Sequence, residues 1–266
     1  MRRFLWLLVV LALLLTACAG DDDNDSTTDE PAGQLGLFDW RRDADSIVVR
    51  VDSQLGADDP ALMLNNIPPC TLWGDGRLVW TTFNEYGEEV VLEARLDDTQ
   101  VRQFLEDIIA RGFYDWEDEL LPPTSFDLVL ESITVSLYDE VSTVRRYSNW
   151  PQNGYATILE TCRTLSATPV MVRPESGWIS AYEVPFDNEA PNWTWPPSAP
   201  FTLKELAESG EARWLEGSLA TQSWQAAREG YGDMQTQERG GTAYHIAIVV
   251  PGYSRDALPP PEESES

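Results

Sequence analysis

The side chains best suited to chemistry in this sequence are three cysteines, one histidine and 45 carboxylates. The histidine, His245, lies in a stretch where apolar and polar residues alternate, which predicts a strand. Nucleophilic catalysis needs a base beside an activated serine or cysteine, and no Gly-x-Ser-x-Gly motif accompanies this histidine. We therefore interpret His245 as a strand residue on the more polar face of a sheet, and we predict no catalytic residue.

Carboxylates crowd behind the clearest predicted helix and flank Trp116: Asp115, Glu117, Asp118 and Glu119. Glycosidases use two carboxylates on either side of the bond they cleave, so a carboxylate-dependent glycan hydrolase is one alternative. Acidic residues are mostly exposed, which favours a solvated loop. One histidine and two distant cysteines do not form a usual zinc ligand set, so no metal site is predicted.

The third cysteine, Cys18, ends a segment that predicts export. Arg2 and Arg3 precede an unbroken apolar run over residues 4–15, followed by small residues. This arrangement is typical of a secretory signal peptide, here residues 1–17. The apolar run is shorter than the roughly 20 residues that a membrane-spanning helix needs.

Leu15, Thr16, Ala17 and Cys18 fill all four positions of a short motif. They resemble the lipobox of bacterial lipoproteins, Leu-(Ser/Thr/Ala)-(Ala/Gly)-Cys. The resemblance implies a diacylglycerol on the Cys18 thiol, cleavage before this residue and an N-acyl group on the new amino terminus. The alternative is an ordinary signal peptide with a chance cysteine. No cofactor is expected beyond these covalent lipids.

The lipobox implies a protein anchored on the extracytoplasmic face of the cell membrane or the outer membrane. Ala19 stands where an aspartate would signal retention at the inner membrane, which favours the outer membrane in a host that has two. The net charge of −27 predicts repulsion from nucleic acid, so no nucleic-acid partner is expected. The expected partners are the membrane, through the lipid, and an envelope protein or polymer.

Cys70 and Cys162 remain as an even pair in an oxidising compartment, where disulfides persist. Both lie at positions that we expect to face a core. A bond between them would close a loop of about 92 residues and stabilise the fold by roughly 4–5 kcal/mol in the chain-entropy model. Two buried free thiols are the competing interpretation.

The chain divides into five parts by composition. After the signal peptide we predict a lipidated N-terminus and acidic tether over residues 18–45, because this part has few apolar residues to bury. An α+β domain over 46–167 and a smaller α+β region over 168–257 follow. Residues 258–266 are predicted to be a disordered acidic tail.

Turn signals and hydrophobic periodicity predict α+β architecture with antiparallel hairpins rather than a parallel sheet. Turns are expected at Asp75-Gly76, at Tyr86-Gly87 and at residues 139–140. Two amphipathic helices are expected to cover the hairpins. The first begins at Asp97 with Gln100 as its capping partner and ends before Gly112, and the second spans 155–165.

In the second region we predict a strand over 178–184, a short helix from Thr202 to Ser209 and a hairpin around residues 240–241. Residues 211–229 are predicted to be helical, with a break at Gly217 as the alternative. The Asp75-Gly76 turn, the Asp97 helix start and the Gly112-Phe113 exit resemble uncharacterised bacterial envelope lipoproteins over residues 69–118. That resemblance implies no particular activity.

Eleven tryptophans are unusual, and most are expected in the core. Trp193 and Trp195 lie in a proline-rich stretch and are predicted as ligand-contact aromatics. The leading hypothesis is a non-enzymatic binding or envelope-assembly module. A solute-binding lipoprotein of a transporter and a glycan hydrolase are the alternatives.

Overall fold

The computed structural model describes residues 38–56, 59–120, 129–138, 140–229, 234–238, 241–255 and 257–261. The predicted signal peptide, Cys18 and most of the predicted tether lie outside these ranges. The fold is α+β, as predicted. The described residues from Phe38 onward belong to one compact unit with two sheets. No helix within the described ranges has the length and apolar character needed to cross a membrane.

The first sheet has seven strands in the order β6-β5-β1-β2-β3-β4-β7. Its strands are β1 (Ile47–Leu55), β2 (Cys70–Trp73), β3 (Arg77–Phe83), β4 (Glu89–Arg95), β5 (Val129–Leu137), β6 (Glu140–Arg146) and β7 (Val170–Met171). All neighbouring strands pair antiparallel. The three predicted hairpins are confirmed, although Asp139 in the last turn lies outside the described residues. Gly76 adopts φ 83°, which the tight β2–β3 turn requires.

Two helices cover one face of this sheet and form the first core, as predicted. Helix α2 (Asp98–Ala110) begins with a complete capping box between Asp97 and Gln100. Helix α3 (Gly154–Thr164) follows a 3-10 turn (Pro151–Asn153). Both helices bury their predicted apolar stripes against strand residues such as Leu72 and Ile133. Another 3-10 turn (Phe113–Asp115) follows α2.

The second sheet has five strands in the order β10-β8-β12-β11-β9. These are β8 (Ser176–Val184), β9 (Asn192–Thr194), β10 (Arg213–Glu216), β11 (Gln235–Gln237) and β12 (Ala243–Val249). Its pairs are antiparallel except β9 with β11, which are parallel. Helices α4 (Leu203–Ser209) and α5 (Ser218–Ala226) pack on it, and α4 has the predicted capping box between Thr202 and Glu205.

The prediction of helical structure over residues 211–229 is wrong at its start, while the alternative of a break at Gly217 agrees with the structure. Residues 213–216 form β10, which pairs with β8 and buries Leu215. Residues 213–216 form a strand because pairing with β8 supplies hydrogen-bond partners for their backbone groups and buries the Leu215 side chain. Gly217 then separates β10 from α5.

The second core joins the two sheets. It contains Trp73, Val79 and Val91 from the uncovered face of the first sheet, together with Ile179 and Ile248 from the second. Successive side chains of a strand point to opposite faces of the sheet, so alternate residues of β2 and β3 lie in the first core and in the second core.

The boundary of the predicted tether at residue 45 is corrected. Trp40 is buried in the first core, and its indole Nε1 donates to the Gly74 carbonyl at 3.3 Å. The Arg41 backbone passes so close to Gly74 that a Cβ at that glycine would clash with it. Phe38 and Trp40 supply apolar surface to the first core. The boundary was placed too late because it was drawn from the acidic composition of the whole segment.

Candidate functional site

A cleft of about 740 Å³ is formed against the first sheet. Its walls come from β1, β3, β4 and β5 of that sheet, from helices α1 (Pro60–Asn65) and α3, and from the segments after α5 and β12. This size falls within the range of small-molecule binding sites. Three arginines and two glutamates line it, together with several apolar side chains. The arginines are Arg163, Arg228 and Arg255, and the glutamates are Glu89 and Glu131.

Arg228 is the most unusual side chain of the cleft. It is only 6% exposed, and its guanidinium carbon lies 3.5 Å from the ring centroid of Trp224. Its Nη2 donates to the Asn65 carbonyl at 3.3 Å, while its Nε and Nη1 have no hydrogen-bond partner. Burial lowers the pKa of Arg228 to about 10, so the group remains charged at neutral pH. The cleft therefore contains a buried cation with unused donors.

The two glutamates of the cleft differ from Arg228, because burial favours their neutral form. Burial raises the pKa of Glu89, and the positive charge of Arg228 only partly offsets this. Burial also raises the pKa of Glu131, whose carboxylate accepts a hydrogen bond from the indole of Trp150. Both carboxylates are thus costly to ionise where they stand.

The other two arginines have protein partners. Arg255 forms an ion pair with Asp52, with Nε donating to Oδ2 at 2.9 Å. Arg163 donates from Nε to the Thr81 carbonyl at 3.1 Å. These contacts place positive charge around the cleft without leaving buried donors unpaired. Arg228 differs from both in this respect.

Apolar side chains surround the opening of the cleft. Met63 is 53% exposed and Phe83 is 59% exposed, and Leu64 is also exposed. Helix α1 positions two of them, and Asp59 caps it by accepting from the Ala61 backbone N–H at 2.8 Å. Exposed apolar side chains gathered at one cleft indicate a contact surface more than isolated ones do.

Asn65 holds α1 in place through the second sheet. Its Nδ2 donates to the Ile246 carbonyl at 2.8 Å, and its Oδ1 accepts from the Ile248 N–H at 2.9 Å. Strand β11 pairs with β12 only near Ala243 and Tyr244. The Asn65 amide therefore supplies the pairing that the next part of β12 lacks, and it anchors the helix that lines the cleft.

The predicted cysteine pair comes together in the first core. Cys70 opens β2 and Cys162 lies on α3, both are buried, and their Sγ atoms are at disulfide-bonding distance. Their Cα atoms are 6.5 Å apart, within the usual range for a disulfide. The predicted lipid attachment site, Cys18, lies outside the described residues.

The structure corrects the prediction for Trp195. This residue is 4% exposed, lies in the second core and donates from Nε1 to the Phe201 carbonyl at 3.0 Å. Its ring is therefore covered by protein rather than open to a ligand. Trp193 on β9 is half-buried with its ring edge against Trp195, and its predicted ligand contact stays a prediction.

His245 lies on β12, as predicted, and its Nδ1 contacts the Asp59 carboxylate. A second cavity of about 740 Å³ adjoins it, lined mainly by residues 184–191. The lining of this cavity contains neither a serine nor a cysteine.

The acidic loop after α2 is occupied by ion pairs. Asp118 and Glu119 pair with Arg145 and Arg146 of β6. These contacts fix the loop to the edge of the first sheet. They supply a structural role for two of the four acids that the sequence places together.

Sequence reasoning missed Arg228, Asn65 and Asp59 as site residues. The available signal for Arg228 was its spacing of four residues from Trp224 in a helical segment, which puts the two side chains on one face. Asn65 carries no such signal, because its partner strand lies 181 residues away.

Among the described residues, no group of three or more His, Cys, Asp or Glu side chains is placed to bind a metal ion. The chemistry available in the cleft is thus that of its arginines, glutamates and apolar walls. Comparison of the chain with protein-family models, with curated proteins and with solved structures finds no match.

Proposed function

We propose that this protein is a lipid-anchored extracytoplasmic lipoprotein whose folded body is a non-enzymatic binding module. The lipobox at Leu15–Cys18 supplies the anchor, and the Cys70–Cys162 pair suits an oxidising compartment. The observation that carries the binding role is the cleft, where a buried Arg228 with unused donors stands behind exposed apolar side chains.

The anchor is tested by metabolic labelling of the full-length protein with an alkyne fatty acid. Label is expected on the wild type and is expected to disappear in Cys18→Ser. Equal labelling of both proteins contradicts lipidation at this cysteine. Signal-peptide cleavage is read from the mass of the mature protein.

The binding role is tested by site-specific photo-crosslinking in the native envelope. A photoreactive phenylalanine analogue replaces Phe83 at the cleft, and the matched control carries it at Tyr114, an exposed aromatic residue after α2. A cross-linked species is expected from position 83 alone. Equal products from both positions, or none from either, argue against the cleft as a binding site.

A second candidate function is favoured by Glu89 and Glu131. Both carboxyls line one cleft, and burial raises the pKa of both, which is the tendency expected of a general acid in a glycoside hydrolase. Release of reducing ends from envelope glycans by the wild type, with loss in Glu89→Gln or Glu131→Gln, would establish this function in place of the first.

The solute-binding alternative ranks below these two. The seven-stranded and five-stranded sheets differ in size and strand order. A solute-binding lipoprotein of a transporter would have two similar α/β lobes around its ligand, and the two unequal sheets do not fit that arrangement.

A further inference from the structure

We propose, on the basis of the binding role above, that the cleft containing Arg228 selects amphiphiles with an anionic headgroup. The headgroup is a carboxylate or a phosphate, and the body is a single apolar chain. Three properties of the cleft support this: unused donors, a buried positive charge without a direct ion pair and an apolar opening.

The donors belong to Arg228. Its Nε and Nη1 are buried without an acceptor, and its Nη2 makes one hydrogen bond to a backbone carbonyl. A buried N–H that has left water without gaining a partner destabilises the fold. Oxygen atoms of an anionic headgroup would supply charge-assisted acceptors, which are stronger than neutral ones.

The charge of Arg228 is not neutralised by a direct ion pair with any described residue. Arg255 in the same cleft is paired with Asp52, but the ion pairs of the described residues do not include Arg228. Glu89 influences Arg228 only through its field, and burial disfavours the charged form of that glutamate. Glu131 lines the same cleft, and burial disfavours its charged form as well, so the Arg228 side of the cleft is complementary to an anionic headgroup.

The apolar body is inferred from Met63, Leu64 and Phe83. All three line the cleft that contains Arg228, and all three are exposed. A ligand with its anionic end toward Arg228 and its chain along these residues would cover the exposed apolar surface. A small hydrophilic anion would leave that surface in water.

The test uses three probes with the same ten-carbon chain: decanoate, decyl phosphate and the neutral decanol. Binding to the mature protein is measured by calorimetry below the micelle concentration of each probe. At least one anionic probe is expected to bind tenfold or more tightly than decanol. The ratio between decanoate and decyl phosphate distinguishes a carboxylate from a phosphate headgroup.

Variants connect this preference to Arg228. Arg228→Met keeps an unbranched side chain beside Trp224 but removes the guanidinium, and it is expected to weaken the anionic probes at least tenfold while decanol changes less than twofold. Arg173→Met, at an exposed arginine outside the cleft, is the matched control and is expected to change nothing. Phe83→Ala is expected to weaken all three probes equally.

Arg228→Lys keeps the charge and is expected to retain a preference for anions, so it serves if the methionine variant fails to fold by circular dichroism. Equal affinity of the wild type for decanol and for both anions overturns the proposal, as does absence of binding by all three. If position 83 still cross-links a partner in those cases, only the ligand chemistry is rejected. Absence of that cross-link rejects the binding role itself.

Discussion

The first core lies between a seven-stranded sheet and two helices that follow its hairpins in the sequence, and its Cys70–Cys162 pair joins strand to helix. The second core collects short elements from distant parts of the chain, and single polar side chains such as Asn65 join them. Buried polar atoms without partners occur on Ser223, Arg228 and Thr236, all in the second region.

The two cores differ in how many costly buried polar groups they contain, and the region that contains such groups is the better candidate for a functional site. The first core is closed by apolar packing and by the Cys70–Cys162 pair. A core that buries Arg228 with two unpaired nitrogens is less stable than it would be with an apolar residue there. Such residues are typical of sites where binding rather than folding explains the residue present.

The largest expected effect comes from removing the disulfide. Cys70→Ala together with Cys162→Ala is expected to lower the free energy of unfolding by about 4 kcal/mol, because the unfolded chain regains the freedom of a long loop. Denaturant unfolding of the unreduced proteins measures this. An unchanged midpoint would mean that the two sulfurs do not stabilise the first core covalently.

The same variant tests whether the two cores unfold together. Hydrogen exchange is followed at Val101 in the first core and at Ile179 in the second. A single cooperative unit predicts equal loss of protection at both positions. Loss of protection at Val101 alone would show that the two cores unfold separately although they share a sheet.

The next effect comes from the polar tie of the second core. Asn65→Ala is expected to destabilise the protein by about 2–4 kcal/mol, because the Ile246 carbonyl and the Ile248 N–H both lose a buried partner. Chemical denaturation measures the loss, with Asn188→Ala at an exposed position as the control. Equal midpoints for the two variants would contradict the anchoring role of Asn65.

A smaller loss of stability is expected from removing matched helix caps in the two regions. Asp97→Ala and Thr202→Ala each remove one side of a complete capping box and are each expected to cost about 1 kcal/mol. Thermal unfolding at one pH measures both. A transition that shifts in only one variant would show that the two regions do not unfold as one.

The smallest effect is a pH dependence from Glu89. Burial raises its pKa above the usual 4.5, so folding favours the protonated carboxyl. Its contribution to stability is therefore complete below pH 4.5 and is lost as the pH rises through the raised pKa. Glu89→Gln is expected to gain stability relative to the wild type between pH 4 and pH 7, measured by denaturant midpoints. A constant difference would contradict the shift.

Local patterns predicted much of the first region. The Asp75-Gly76 turn, the capping box at Asp97 and the inward position of Cys162 depend on residues within a few positions of one another. Turn chemistry, capping and helical periodicity act over that range, so one sequence suffices to find them. The start of the 211–229 segment was mispredicted because its strand partner, β8, lies more than 30 residues away.

The sequence by itself predicted the α+β class and the pairing of Cys70 with Cys162, and the structure agrees with both. The export signal and the lipobox stay predictions from the sequence. Only the tertiary structure decided that Trp195 is core, that Trp40 belongs to the fold and that Arg228 lines a cleft. The Arg228 contact with Asn65 spans 163 residues. Burial and partnership of a polar side chain depend on which distant surfaces meet, and no local pattern of residues encodes that meeting.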